Sequence, residues 1–139
     1  MTYATQQDLI TRFGEQSLID LTDRADPPLG EIDAAVVAVA IADAQAEIDG
    51  YLAVRYALPV TVSADRLRSV MCDLVRYRLH GDRVTEEVRA RCEDARAWLR
   101  DVSAGRVVLP GASAPGGTSG PAQTVEVAAG RKVFGGGLL

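Results

Sequence analysis

Ala34-Ala35-Val36-Val37-Ala38-Val39-Ala40-Ile41-Ala42 is the stretch whose reading decides how this chain folds. It is the longest uninterrupted apolar run in the sequence, nine residues with neither proline nor glycine. Asp33 supplies a negative charge where a helix begins, which the helix dipole favours. Further on, Asp43, Glu47 and Asp49 restore polarity while Ile48, Tyr51 and Leu52 continue a buried side, so a long helix is expected over residues 32–54. Its first half is apolar all round. A helix of a small bundle ordinarily keeps one polar stripe for water, and this one lacks it for more than two turns. More than one surface must cover it, and a short chain has few elements to spare, so a neighbouring subunit is the expected cover. Val36, Val37 and Ile41 are therefore candidate subunit-contact residues, joined by Arg76, Arg78 and Trp98 from later helices.

The flanks of this helix read as helices too. Upstream, Thr5 with Asp8 three residues on is a carboxylate form of the capping box, followed by Leu9, Ile10 and Phe13 on one face and a stop at Gly14. A short second helix is expected over residues 15–21, with Leu18, Ile19 and Leu21 inward. Residues 23–30 contain Pro27-Pro28 and form a loop, because paired prolines do not continue a helix. Downstream, Leu58-Pro59-Val60-Thr61-Val62 reads as extended chain. A fourth helix starts at residue 63 or 64 and ends near residue 79, since Leu67, Val70, Met71, Leu74 and Val75 recur at spacings of three and four. His80-Gly81 is its stop signal. A fifth helix covers residues 85–104, with Val88, Cys92, Ala95, Leu99 and Val102 as its stripe and Glu87–Arg91 as a favourably ordered i,i+4 pair. Gly105 ends it, and Arg106-Val107-Val108-Leu109 reads as one short strand before Pro110.

The expected fold class is all-α: a small bundle of about five helices over residues 1–109, with an extended C-terminal arm. Residues 110–122 are a Gly/Ser/Pro linker by composition, flexible on that ground, and residues 123–139 form the arm. Two short β-like pieces lie in it, Gln123-Thr124-Val125-Glu126-Val127 and Arg131-Lys132-Val133-Phe134. Nothing in the arm lets Val125, Val127, Val133 and Phe134 form a core of their own, so with Arg131 they are candidates for docking onto a partner. The whole chain of 139 residues holds one domain's worth of sequence, and with 47% hydrophobic and 24% charged residues it is of globular type.

Several function classes fall away. A net charge of -4 argues against a protein whose main task is gripping nucleic acid by its phosphates. Fourteen arginines and a single lysine, Lys132, make up the basic set. Two cysteines in separate segments build no disulfide framework and no four-cysteine zinc site, and one histidine is too few for a His-rich metal centre. Cys72 and Cys92 fall on apolar helix faces and read as core residues. No targeting segment stands out at the start, and no apolar run approaches the ~20 residues of a membrane helix, so a product of the cytoplasm without a membrane partner is expected. His80 is the only candidate general base, no nucleophile elbow accompanies it, and it reads better as a helix-end histidine meeting free carbonyls. Asp43 and Glu47 share a helical face, where two carboxylates are ordinarily just solvated. No enzyme activity, metal or cofactor is expected. A competing reading takes Arg66, Arg68, Arg76, Arg78, Arg83, Arg89, Arg91, Arg96 and Arg100 as a DNA-binding row of a packaging or regulatory factor, although acidic residues alternate with them.

A family resemblance sharpens these expectations. The opening Tyr3-Ala4-Thr5-Gln6-Gln7-Asp8-Leu9-Ile10-Thr11-Arg12-Phe13-Gly14 is similar to the start of the Mu-like phage and prophage head–tail connector (neck adaptor, head completion) proteins. The similarity continues through Ile48-Asp49-Gly50-Tyr51-Leu52-Ala53-Val54-Arg55-Tyr56-Ala57-Leu58-Pro59. It resumes at Cys72-Asp73-Leu74-Val75-Arg76-Tyr77-Arg78-Leu79 and at Ala97-Trp98-Leu99-Arg100-Asp101-Val102-Ser103-Ala104-Gly105. Arg131 and Phe134 match the Arg and Phe near the end of such tails, while Gly135-Gly136-Gly137 departs from the more charged pattern there. The resemblance implies a virion protein of the neck, made in the host bacterial cytoplasm. It implies a homo-oligomeric ring below the portal, usually matching the portal's twelve-fold symmetry. Its partners would be further copies of itself, the portal protein, and a stopper or tail terminator. DNA would pass through the lumen without sequence-specific contacts.

Overall fold

The computed structural model describes residues 2–60, 65–112 and 114. Its elements are α1 (Gln6–Phe13), α2 (Glu15–Thr22), α3 (Ala34–Leu52), α4 (Asp65–His80), a 3-10 turn (Gly81–Arg83) and α5 (Glu86–Ser103), with no strand among the described residues.

Local chemistry sets the helix starts. The Thr5 hydroxyl accepts from the Asp8 N–H while the Asp8 carboxylate accepts from the Thr5 N–H at 2.8 Å, completing the expected capping box of α1. Gly14, at φ 91°, closes α1 and opens α2 in one residue. The long helix starts at Ala34, two residues later than its pattern suggests, because Asp33 stands outside the first turn as its N-cap. Its carboxylate accepts from the N–H groups of Ala35 and Val36. Thr22, fully buried at the end of α2, donates to the Leu18 carbonyl and accepts from the Asp33 N–H at 3.0 Å. That one hydroxyl ties the end of α2 to the start of α3 across the proline loop. At the N-terminus, Tyr3 donates through its hydroxyl to Asp49 at 2.6 Å and through its N–H to Gln45, strapping the first residues onto α3. Burial and then the Asp49 contact push the Tyr3 hydroxyl up to about 12.

The centre is a three-helix unit in which α4 packs against both α3 and α5, and α3 also meets α5. The short α1 and α2 lie against this unit. Ile48 and Leu52 of α3, Leu67, Met71, Leu74 and Val75 of α4, and Cys92, Leu99 and Val102 of α5 fill the core, with Leu9 and Leu18 added from α1 and α2. The expected faces of α4 and α5 are all buried. Cys72 and Cys92 pack as small hydrophobes, and burial pushes the Cys72 thiol up to about 11.

Two expectations need correction. The apolar run is not uniformly short of cover: Val37 is 1% exposed and Ala40 is buried, both in the domain's own core, while Val36 and Ile41 pack partly against it. The opposite side, Ala35, Ala38, Val39 and Ala42, faces water, as does Ala34 at the helix start. Residues 106–109 form no strand. The N–H groups of Arg106 and Val107 both donate back to the Asp101 carbonyl, and the Leu109 N–H donates to the Tyr56 hydroxyl at 2.9 Å, so the segment folds onto the helix end instead of pairing with another strand. Of the stretch expected to be extended, Leu58, Pro59 and Val60 lie outside any helix, while Thr61 and Val62 lie outside the described residues, as does the expected start of the fourth helix. The linker beyond residue 114 and the arm lie outside them too.

One glycine is fixed by this arrangement. Gly105 has φ +84°, and a Cβ built there would lie 2.9 Å from the Arg55 guanidinium carbon. Gly50, inside α3, has nothing within 4 Å of such an atom. Gly105→Ala is therefore expected to destabilise the domain by about 1–2 kcal/mol through left-handed strain. Gly50→Ala should stabilise it by about 0.5–1 kcal/mol through helix propensity. Urea midpoints of the two variants should move in opposite directions.

Candidate functional site

The surface that stands out is the outer side of α3. Helical periodicity puts Ala35, Ala38, Val39, Ala42 and Ala46 on one exposed face, and Val39 is 62% exposed. Beside this face runs a groove of about 390 Å³. Its apolar wall is Ala35, Val36, Val39, Ala40 and Leu79, with Arg24, Asp43 and Arg78 as its polar members. A second, more polar groove of about 660 Å³ adjoins it, sharing Arg24 and Leu79, and brings Asp20, Asp23, Asp82, Arg83 and His80 to the same end of the domain. The Asp23 carboxylate accepts from the Gly30 N–H at 2.6 Å, which holds its pKa below the ordinary aspartate value and folds the proline loop back on itself.

Under this face lies an ionic cluster. Glu47 of α3 accepts from Arg78 of α4 at 2.7 Å and from two nitrogens of Arg96 of α5, at 2.7 and 3.2 Å. The Arg96 guanidinium also sits over the Tyr77 ring, 5.4 Å from its centre. Burial alone would raise the pKa of Glu47, but the hydrogen bonds from Arg96 and Arg78 outweigh it and hold the carboxyl below its ordinary value. The reciprocal contact with Glu47 raises Arg96. One carboxylate thus ties all three central helices. The solvated Asp43–Glu47 pair expected from the sequence is half right: Asp43 is exposed, but Glu47 is turned into the helix junction.

The remaining candidates are dispersed. Val36 and Arg78 line the apolar groove, whereas Val37 is core. Arg76 lies over the Phe13 ring at 4.6 Å, and half-buried Trp98 carries Arg66 at 5.6 Å, both outside the two grooves. The arm candidates Val125, Val127, Arg131, Val133 and Phe134 lie outside the described residues. His80 is anchored through Nδ1 to the Arg76 carbonyl at 2.9 Å, as a helix-end histidine should be. Among the described residues, no group of three or more His, Cys, Asp or Glu side chains is placed to hold a metal, and no helix is long and apolar enough to cross a membrane.

The arginine row is largely occupied within the domain. Of its nine members, Arg68, Arg78, Arg89, Arg91 and Arg96 each pair with a carboxylate, and Arg66 and Arg76 lie on aromatic rings. Arg78 and Arg96 join α4 and α5 to α3 through Glu47, whereas the Arg68–Asp65, Arg89–Glu86 and Arg91–Glu87 pairs each lie within one helix.

The distinctive surface features of this helical domain are thus an exposed apolar helix face and two open grooves. Comparison with known sequences adds the family. The family model described as Bacteriophage Mu, Gp36 matches residues 3–128, and the chain belongs to this family of Mu-like phage proteins. It is 38% identical over 106 residues to "Gene product J" of Escherichia phage Mu, covering 76% of this chain and 74% of that protein. It is 32% identical over 124 residues to "Mu-like prophage FluMu protein gp36" of Haemophilus influenzae (strain ATCC 51907 / DSM 11121 / KW20 / Rd), covering 89% and 82% respectively.

Proposed function

We propose that this protein is a structural component of the phage neck, a head–tail connector in which copies form a closed ring below the portal. The observation that carries this reading is the second apolar face of α3. Val37 and Ala40 serve the domain's own core, while Ala35, Ala38, Val39 and Ala42 present apolar surface on the other side of the same helix. A surface patch of this kind suits a neighbour, and a neighbour contacted through a different patch closes into a ring. Membership of a Mu-like phage family supports the setting. The acidic balance, net charge -4, suits a lumen through which DNA slides without sticking. In this reading the copies number twelve to match the portal, the arm docks on the portal, and the opposite end meets a stopper or tail terminator. The protein works by assembly in the virion, with no catalytic step and no cofactor.

Electron microscopy of neck particles should show closed rings seated on the portal, and absence of the protein from purified virions would end this reading. Deleting residues 123–139 should weaken portal docking while leaving the far-UV circular dichroism of the helical domain unchanged, because the described residues between Tyr3 and Leu109 already form a continuous core. The DNA-factor alternative predicts a salt-steep affinity for duplex DNA, and the internal pairing of five of its nine arginines speaks against it.

A further inference from the structure

Three of the five large apolar side chains that stand exposed among the described residues are Val54 (63%), Leu58 (43%) and Val108 (68%). They come from two segments that the fold clasps together. Val54 and Leu58 lie in the loop after α3, and Val108 lies in the segment after α5. The Tyr56 hydroxyl accepts the buried Leu109 N–H at 2.9 Å, and the Arg55 guanidinium lies against Gly105. Tyr56 and Leu109 are themselves buried, so the apolar side chains around them are held in place before any partner arrives. Arg106 pairs with Asp101 at 3.0 Å, but Arg55 has no carboxylate within 4 Å among the described residues. This pole of the domain therefore offers aliphatic surface beside a cation that no carboxylate of the described residues neutralises.

The same pole is where the chain leaves the domain. Beyond it, Val125-Glu126-Val127 sets two branched apolar residues on either side of the only carboxylate side chain downstream of Asp101. From Leu109 to Val125 the chain can extend by roughly 55 Å at most. A tether of that length presents its far end at an effective concentration on the order of millimolar.

We propose that Val125-Glu126-Val127 seats on the Val54, Leu58 and Val108 surface of its own domain, with Glu126 opposite Arg55. The occupant is the chain's own arm, because the tether favours it over any free segment of like composition and because its charge complements the patch. This inference stands independently of the connector reading. If both hold, the arm has two surfaces to choose between, and engaging a partner requires it to leave the first.

Glu126 supplies the probe, as it is the only glutamate after Glu93. A glutamate-specific protease acting on the full-length native protein should cut after Glu126 about tenfold more slowly in the wild type than in Val108→Asp or Arg55→Ser, because cleavage follows the undocked population. Both substitutions change exposed side chains, and unchanged circular dichroism will show that the domain is intact. Equal cleavage rates in all three proteins would overturn the proposal. Protection that stays constant over a roughly hundredfold dilution supports the same-chain occupant, whereas protection that fades on dilution overturns it in favour of a neighbouring copy. As a second readout, a nitroxide on Ala129→Cys, selective because Cys72 and Cys92 are buried, should broaden the Val54, Leu58 and Val108 methyl resonances. Unbroadened methyls would equally overturn the proposal.

Discussion

Val37→Asp is expected to unfold the isolated domain, while Val39→Asp, two residues along the same helix, is expected to leave it folded and to abolish its oligomers. Val37 is 1% exposed in the helix junction, so the substitution buries a carboxylate among aliphatic side chains with no partner at hand. An unpaired buried charge of this kind costs at least about 4 kcal/mol, a large part of the stability of a small domain. Val39 is 62% exposed, and a carboxylate there stays in water, changing domain stability by no more than about 0.5 kcal/mol. In an assembly, however, it would stand in the contact that the outer face of α3 makes with the next copy. Circular dichroism with urea titration tests the first variant, and mass photometry tests the second. Wild-type oligomers from Val39→Asp would remove the α3 face from the contact.

The second large effect centres on Glu47. Glu47→Ala leaves Arg78 and Arg96 side by side in the helix junction without their shared counter-charge, and the Arg78 Nε is already buried without a hydrogen-bond partner. Breaking such a pair costs about 3–5 kcal/mol when it is fully buried. Both guanidinium groups here are about a third exposed, so about 2 kcal/mol is expected, read as a lower urea midpoint with an unchanged slope. The effect depends on pH in a definite direction. The folded state holds the Glu47 pKa below its ordinary value of 4.5, so in acid the unfolded chain takes up the proton first. The contribution of Glu47 is complete above that ordinary value and is lost as the pH falls through the lower folded one. Wild type and Glu47→Ala should therefore differ most near neutral pH and converge in strong acid. A constant gap down to low pH would mean that packing, not charge, accounts for the loss.

The contrast between Val37 and Val39 also marks where the sequence stops being informative. Wherever apolar and polar residues alternate with a helical period, as along Val88, Cys92, Ala95, Leu99 and Val102, the buried face is readable directly, since each side chain differs from its neighbours in water affinity. Caps are readable for the same local reason, as Thr5 with Asp8 shows. In residues 34–42 every position is apolar, so the periodic signal has no contrast, and only packing decides that Val37 turns inward and Val39 outward. The Glu47 cluster is hidden differently. Its arginines lie 31 and 49 residues away, and which of many arginines meets it depends on how three helices are set against each other in depth. Residues 106–109 have strand-like composition, but the Asp101 carbonyl and the Tyr56 hydroxyl capture the backbone groups that a sheet would need.

The hydrogen bond between Tyr56 and Leu109 has a geometric corollary for any assembly of this domain. It nails down the point from which each tail departs, at the extremity where the third and fifth helices finish. If the copies form the proposed ring, its rotation axis would keep that point at one height in every copy. In the proposed ring those points would lie on one circle, and because identical copies related by a single rotation axis all run the same way, its two axial directions would be chemically distinct before it met anything else.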